Sequence, residues 1–316
     1  MEPLLRPLSV QASPSAEEIF TFTIPQEMYE VCDIIPGEIL ASIISSKPDA
    51  LVKVFDTNKT SYARWMNHVV TSDIVREKNW KTSMYWVRDQ GTHETGWAIT
   101  AAELISAVRY ILRHDAEYVD YSAQFLVDFA DRDKATERYM KDKLHYCFKY
   151  SVAKALEFVK EAGIPQAGHW KYVGCRPQGL PIYRAGSPHV YVNSCVEISS
   201  IREALPYLEF HPIAASLALF TPDYYIIKDG IYRGPMYKES VYEGFEWVNI
   251  YAVIEENGET IALVKAPHGT LLGDEGYFGV SVDVEMVQVP WEGQEGHPNF
   301  GAPRRLLSDF SFPTFA

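Results

Sequence analysis

The feature that most constrains this chain is a change in hydrophobic repeat partway along its length. Between Glu94 and Arg113, apolar residues recur at Trp97, Ala101, Leu104, Ile105, Val108, Ile111 and Leu112. That three-and-four spacing predicts a helix with one buried stripe. A second helix is predicted over about Tyr146–Glu161, with Phe148, Val152, Leu156 and Val159 on one face. Gly163 follows, where a helix terminus favours a residue that accepts positive φ. Past Tyr183 the repeat shortens. His211–Phe220, Trp247–Ile254, Thr260–Lys265 and Gly276–Val284 are short runs rich in β-branched or aromatic residues, separated by turn signals. Asn257-Gly258 marks a hairpin, because both residues tolerate positive φ. A helical half followed by a strand half predicts an α+β fold in two lobes.

The flanks are less regular. Residues 1–77 read as an N-terminal extension, with a flexible leader to about residue 19. Within it Pro25, Pro36 and Pro48 cut any helix short, leaving Leu40–Ser46 and Ala50–Phe55 as short elements. From Pro290 onward, proline and glycine predict an irregular tail over 291–316. A net charge of −13 argues against nucleic acid as a partner, since phosphate binding needs a clustered basic surface. No apolar run approaches the roughly 20 residues of a membrane span, and no basic amphipathic segment suits a membrane surface. Met1–Glu18 holds no apolar core of a secretory signal. Neither a phosphate-binding G-x-x-x-x-G-K-[ST] loop nor a G-x-G-x-x-G after a strand is present, so no cofactor is expected. The four cysteines, Cys32, Cys147, Cys175 and Cys195, form no C-x-x-C pair, and no metal is expected from their spacing.

Four blocks bring a family into view. Asn79–Ala98 reads NWKTSMYWVRDQGTHETGWA, Ser122–Asp128 reads SAQFLVD, Asp229–Pro235 reads DGIYRGP, and Leu263–Tyr277 reads LVKAPHGTLLGDEGY. In order and spacing they resemble the papain-like cysteine peptidases, with Q-G-x-C-G-S-C-W-A-F, S-E-Q-E-L-V-D, G-G-I-Y-x-G-P and I-V-K-N-S-W-G-x-x-W-G-E-x-G-Y. The resemblance spans about 200 residues. It implies a two-lobed papain-like domain over 78–290, with a helical first lobe at about 90–182. The second lobe, at about 183–290, would be an antiparallel β-barrel-like body, with a cleft between the two.

The same resemblance assigns roles residue by residue. The family's thiolate sits at a helix N-terminus beside an imidazolium, an Asn orients that His, and a Gln donates into the oxyanion hole. Gln90 stands at the oxyanion Gln and Trp97 at the Trp after the nucleophile. The three triad positions hold Gly96, Glu246 and Ala266, with Pro267 and His268 following the last. The implied chain is therefore a papain-like fold without cysteine-peptidase catalysis. The disulfide frame is changed as well. His93 and Phe129 replace half-cystines, leaving Cys147 and Cys175 as thiols, which fits the cytosol or a reducing organelle interior better than a lysosome or vacuole. Lys149-Tyr150 replaces a Gly-Gly edge along which the family pairs substrate backbone.

Gln90, His93, Glu94, Trp97, Tyr150, Glu246 and His268 are the candidate cleft and ligand-binding residues. Three functions remain open at this point. One is a regulatory or scaffolding protein that binds a protein or small molecule in a remodelled cleft. Another is an enzyme acting on a small metabolite by acid–base chemistry through His93, Glu94, Glu246 or His268. The third is a structural subunit of a larger assembly.

Overall fold

The computed structural model describes residues 53–57, 60–66, 78–131, 147–175, 186–227, 230–237, 240–289 and 304–316. The leader and the Leu40–Ser46 element lie outside this set. Among the described residues, three helices of more than one turn follow from the first repeat: α1 at Gly96–Ile111, α2 at Ala123–Phe129 and α3 at Val152–Ala162. α3 starts later than its periodicity predicts, because Ser151 caps it by accepting a hydrogen bond from the Lys154 amide (3.2 Å). It ends at Gly163, which has φ 71°. α1 is not the one-sided helix its stripe suggests. Every residue from Gly96 to Val108 is buried, because sheet, α2 and α3 pack around it. Ala98, Ala101, Ala102 and Ala107 let those neighbours approach closely.

The described strands form three sheets. β1 (Lys53–Thr57), β2 (Thr60–Met66), β11 (Val284–Val289) and β12 (Arg304–Arg305) make a four-stranded sheet in the order β1-β2-β11-β12. Two of its strands thus come from within the stretch assigned to the N-terminal extension. β3 (Ile164–Pro165) pairs with β4 (His189–Val190). The main sheet uses β5 (Ser194–Ile198), β6 (Ile213–Thr221), β7 (Ile231–Tyr232), β8 (Val241–Glu256), β9 (Glu259–Lys265), β10 (Tyr277–Ser281) and β13 (Leu307–Thr314). Its order is β5-β13-β6-β8-β9-β10-β7. Two expectations are corrected here. The sheet is open rather than barrel-like, with β5 and β7 as its edges and β7 parallel to β10. The tail is not irregular throughout, since β13 inserts between β5 and β6.

Two features of this frame position the cleft. Thr100 Oγ1 donates to the Trp247 carbonyl (3.0 Å), and Asn249 Nδ2 donates back to the Thr100 carbonyl (3.1 Å). This reciprocal pair locks the first turns of α1 onto the middle of β8. Meanwhile the Gln90 amide donates to the Pro267 carbonyl (2.9 Å) and the Gly269 amide to the Arg88 carbonyl (3.0 Å). The segment before α1 is thereby zipped to the segment after β9.

Candidate functional site

Gly96 opens α1, facing Glu246 on β8. A Cβ built on Gly96 would lie 2.0 Å from Glu246 Oε1, 2.7 Å from its Cδ and 3.0 Å from Pro267 Cγ. The Glu246 carboxyl therefore occupies the volume that any side chain at position 96 would need. Its oxygens are already engaged: Oε1 accepts from the Trp247 amide (2.8 Å) and Oε2 from Gln90 Nε2 (2.5 Å). Ala266, the third triad position, is buried and brings only a methyl group.

Gln90 is the hub of the network. Its Oε1 accepts from the Thr95 amide (3.0 Å), just before α1. Its Nε2 reaches both Glu246 Oε2 and His268 Nε2 (2.9 Å), and the far ring nitrogen of His268, Nδ1, lies 2.8 Å from the Tyr224 hydroxyl. A neutral imidazole that accepts at Nε2 and donates from Nδ1 satisfies every partner. Burial favours that form by pushing the His268 pKa below its ordinary value. Both amide hydrogens of Gln90 are then committed, and none is left for an oxyanion.

Burial also raises the Glu246 carboxyl to about 7, offset in part by the Trp247 amide and Gln90 hydrogen bonds. The sign of its effect follows. The folded chain holds this proton where the unfolded chain has released it, so this contribution to stability falls as pH rises from about 4.5 to about 7. Across that interval wild type is expected to lose roughly 3 kcal/mol relative to Glu246→Gln, measured by denaturant unfolding at each pH. Parallel curves for the two proteins would show that this carboxyl does not titrate there.

The cleft above this network is small, about 220 Å³. Trp97, Tyr150, Phe245 and Trp247 wall it, and Glu94, Lys149 and Glu243 stand around it. Tyr150 forms one of these aromatic walls. It packs on Trp97 at 5.0 Å between centroids, and its carbonyl accepts from Trp247 Nε1 (2.9 Å). A larger cavity of about 830 Å³ lies along β6 and residues 304–309. It contains none of the triad positions, and its Arg305 is paired with Glu285 at 2.7 Å.

The predicted site residues thus divide. Gln90, Glu246 and His268 meet in one network, under the aromatic walls of Trp97 and Tyr150. His93 also lines the cleft, but its ring is engaged by a different group. Its Nδ1 lies 3.1 Å from Cys175 Sγ and 3.4 Å from Cys147 Sγ. Glu94 is exposed beside it and precedes α1 rather than lying in its first turn. Sequence reasoning missed Tyr224, which no motif marks. It also missed the His93–Cys147–Cys175 cluster, whose members are 54 and 82 residues from His93. The expectation of no metal rested on local spacing, and the fold assembles a donor set that spacing does not reveal.

Comparison with known proteins agrees with this architecture. The profile of the papain family cysteine proteases matches residues 73–292. The protein HEAT-INDUCED TAS1 TARGET 4 of Arabidopsis thaliana is 30% identical over 245 residues, covering 68% of this chain and 85% of that protein. HEAT-INDUCED TAS1 TARGET 1 of the same plant is 26% identical over 247 residues, covering 69% and 87%. Among solved structures, the Carica candamarcensis cysteine protease CMS1MS2 in complex with E-64 superposes with a TM-score of 0.54 at 20% identity. It covers 75% of this chain and 97% of that one. The proform of the ragweed pollen allergen Amb a 11 gives 0.56 at 20% identity, covering 78% and 69%. At such identities the structural likeness speaks for the fold alone.

Proposed function

The chain belongs to the papain family of cysteine proteases, and from that premise we propose that it is a non-proteolytic member whose cleft binds a protein partner. One observation carries the reading: the Glu246 carboxyl fills the space over Gly96 where the family places its nucleophile. Two further features support it. The Gln90 amide is consumed by Glu246 and His268. The Arabidopsis relatives are named for heat induction and not for a peptidase activity.

The size and chemistry of the cleft narrow the ligand. About 220 Å³ is below the roughly 300–1,000 Å³ of ordinary small-molecule sites, so it suits one inserted side chain better than a whole metabolite. Aromatic walls and an excess of carboxylate (Glu94, Glu243) over ammonium (Lys149) at the rim favour a lysine or arginine of the partner, held in part by cation–π attraction. Acid–base turnover is the weaker reading, because both Glu246 oxygens and both His268 nitrogens already have partners. A reducing compartment fits Cys147, Cys175 and Cys195, which form no disulfide among the described residues.

Titration of the full chain with short peptides bearing a central arginine, lysine, norleucine or glutamate tests this. The cationic peptides are expected to bind and to be recovered intact, and Tyr150→Ala is expected to weaken them about 3–30-fold. Equal binding of the glutamate peptide would overturn the reading. So would cleavage of any peptide that Glu246→Gln abolishes.

A further inference from the structure

The fold brings three metal-ligating side chains together beside the cleft, and the network of Gln90, Glu246 and His268 uses none of them. His93 Nδ1, Cys147 Sγ and Cys175 Sγ all lie within 4.8 Å of one another. We propose that His93, Cys147 and Cys175 form a binding site for a d¹⁰ cation of the zinc class.

The donor spacing fits. With Zn–N near 2.0 Å and Zn–S near 2.3 Å, a tetrahedral site separates nitrogen from sulfur by roughly 3.5 Å. The observed separations are 3.1 and 3.4 Å, so only small adjustments are needed to seat an ion. Imidazole with two thiolates is the soft, borderline donor set that zinc takes, and it discriminates against magnesium and calcium. Three protein ligands leave a fourth position. All three residues are half-buried rather than sealed, so a water molecule can complete the coordination.

The segments that carry the two thiols are also held in place by their neighbours. The loop carrying Cys175 is strapped down at successive points. Trp170 Nε1 donates to Asp128 Oδ2 (2.9 Å), and the Tyr172 hydroxyl meets Thr95 Oγ1 (2.6 Å). Gln124, fully buried on α2, accepts from the Val173 amide (2.7 Å) and donates to the Gly174 carbonyl (2.8 Å). Gly174 itself has φ 78°, and a Cβ there would lie 2.3 Å from His93 Nε2. Glycine at 174 thus lets the loop close onto the outer edge of the ring while Nδ1 faces the two sulfurs. Cys147 is placed by its neighbour, since the Phe148 carbonyl accepts from Trp97 Nε1 (3.1 Å). The cluster is anchored to α1, α2 and the β8-facing aromatic wall. Binding is redox-neutral: the two thiol protons pass to solvent as two S–metal bonds form.

The test uses the full chain, reduced and stripped with a chelator, with Zn²⁺ and Co²⁺ as probes. One equivalent of Zn²⁺ is expected in competition with a chromogenic chelator. Co²⁺ is expected to show thiolate-to-metal charge-transfer absorption and tetrahedral ligand-field bands. Losing an outer partner costs about 10–100-fold in affinity, so Cys147→Ser, Cys175→Ser and His93→Ala are each expected to weaken binding by more than about 100-fold. Each serine variant should also lose about half of the charge-transfer intensity. Cys195→Ser, which alters a half-buried thiol on β5, should change nothing. Circular dichroism of each variant establishes that the fold is intact. An octahedral cobalt spectrum without thiolate bands would overturn the proposal. Affinity that survives Cys147→Ser, or a Cys147–Cys175 disulfide in chain isolated under reducing conditions, would do the same. None of these readouts depends on peptide binding, so this site and the cleft reading can fail separately.

Discussion

Lys265→Met is expected to destabilise the chain by about 3–5 kcal/mol, the cost of removing one partner from a buried ion pair. Lys265 is 1% exposed at the end of β9, and its Nζ lies 3.0 Å from Glu103 Oε1 on α1. The same ammonium donates to the carbonyls of Met84 and Trp86 (2.7 Å each). Burial pushes the Lys265 pKa down and the Glu103 pKa up, and the charge of each partner pulls against that shift in the other. Methionine matches the length of the stem but leaves a buried carboxyl and two carbonyls without their donor. A second variant separates the parts. Lys265→Met with Glu103→Leu removes the isolated carboxyl and is expected to recover part of the loss, while the two carbonyls still cost about 1–3 kcal/mol each. Urea unfolding of wild type, single and double variants measures this. A single variant within 1 kcal/mol of wild type would mean the pair is not load-sharing between α1 and β9. The consequence reaches the cleft, because the segment Lys265 holds leads directly to Gln90.

Much of this was legible from local pattern. The apolar positions of α1 through Val108 are buried as its spacing requires. The Asn257-Gly258 turn has φ of 53° and 76° at its two residues, the geometry that a two-residue hairpin demands. The positions Gln90, Gly96, Glu246 and His268, drawn from widely separated motifs, do meet. What local pattern concealed has identifiable causes. β13 pairs with β6 through a register shift between Ser308 and Ser311, and Asp309 within it has φ 51°. That bulge breaks the alternation of Leu307, Phe310 and Phe312, and Pro313 further disguises the strand. β8 begins at Val241, not at Trp247, and its first half escapes notice because Tyr242, Glu243 and Phe245 are exposed, none of residues 241–246 is fully buried, and Gly244 interrupts it. Whether the sheet closes is a long-range property, and nothing local in β5 or β7 records that they stay apart. The cluster of His93, Cys147 and Cys175 is hidden for the same reason. Its members acquire meaning only when three loops converge.

The proposed non-proteolytic reading rests on a pair of residues rather than on one position. Glycine at 96 and glutamate at 246 fit each other: the first has no side chain, and the second fills the vacated volume while binding Gln90 and the Trp247 amide. Gly96→Ala should therefore be costly in a way that depends on Glu246. Overpacking typically costs about 1–3 kcal/mol, and displacing the carboxyl also forfeits its two hydrogen bonds. Replacing glycine in a helix returns about 0.5–1 kcal/mol, so the net loss is expected to be about 2 kcal/mol. Without the carboxyl, in a Glu246→Ala background, the helix term and a close approach to Pro267 Cγ (3.0 Å) remain, and Gly96→Ala should be near neutral. The double-mutant cycle over these two positions, read from unfolding free energies, tests the account most directly. It predicts a coupling of roughly 2–3 kcal/mol, within the range seen for residues in contact. If Gly96→Ala costs the same with and without Glu246, the carboxyl does not occupy the space over Gly96, and the reading of a filled, non-proteolytic cleft is contradicted.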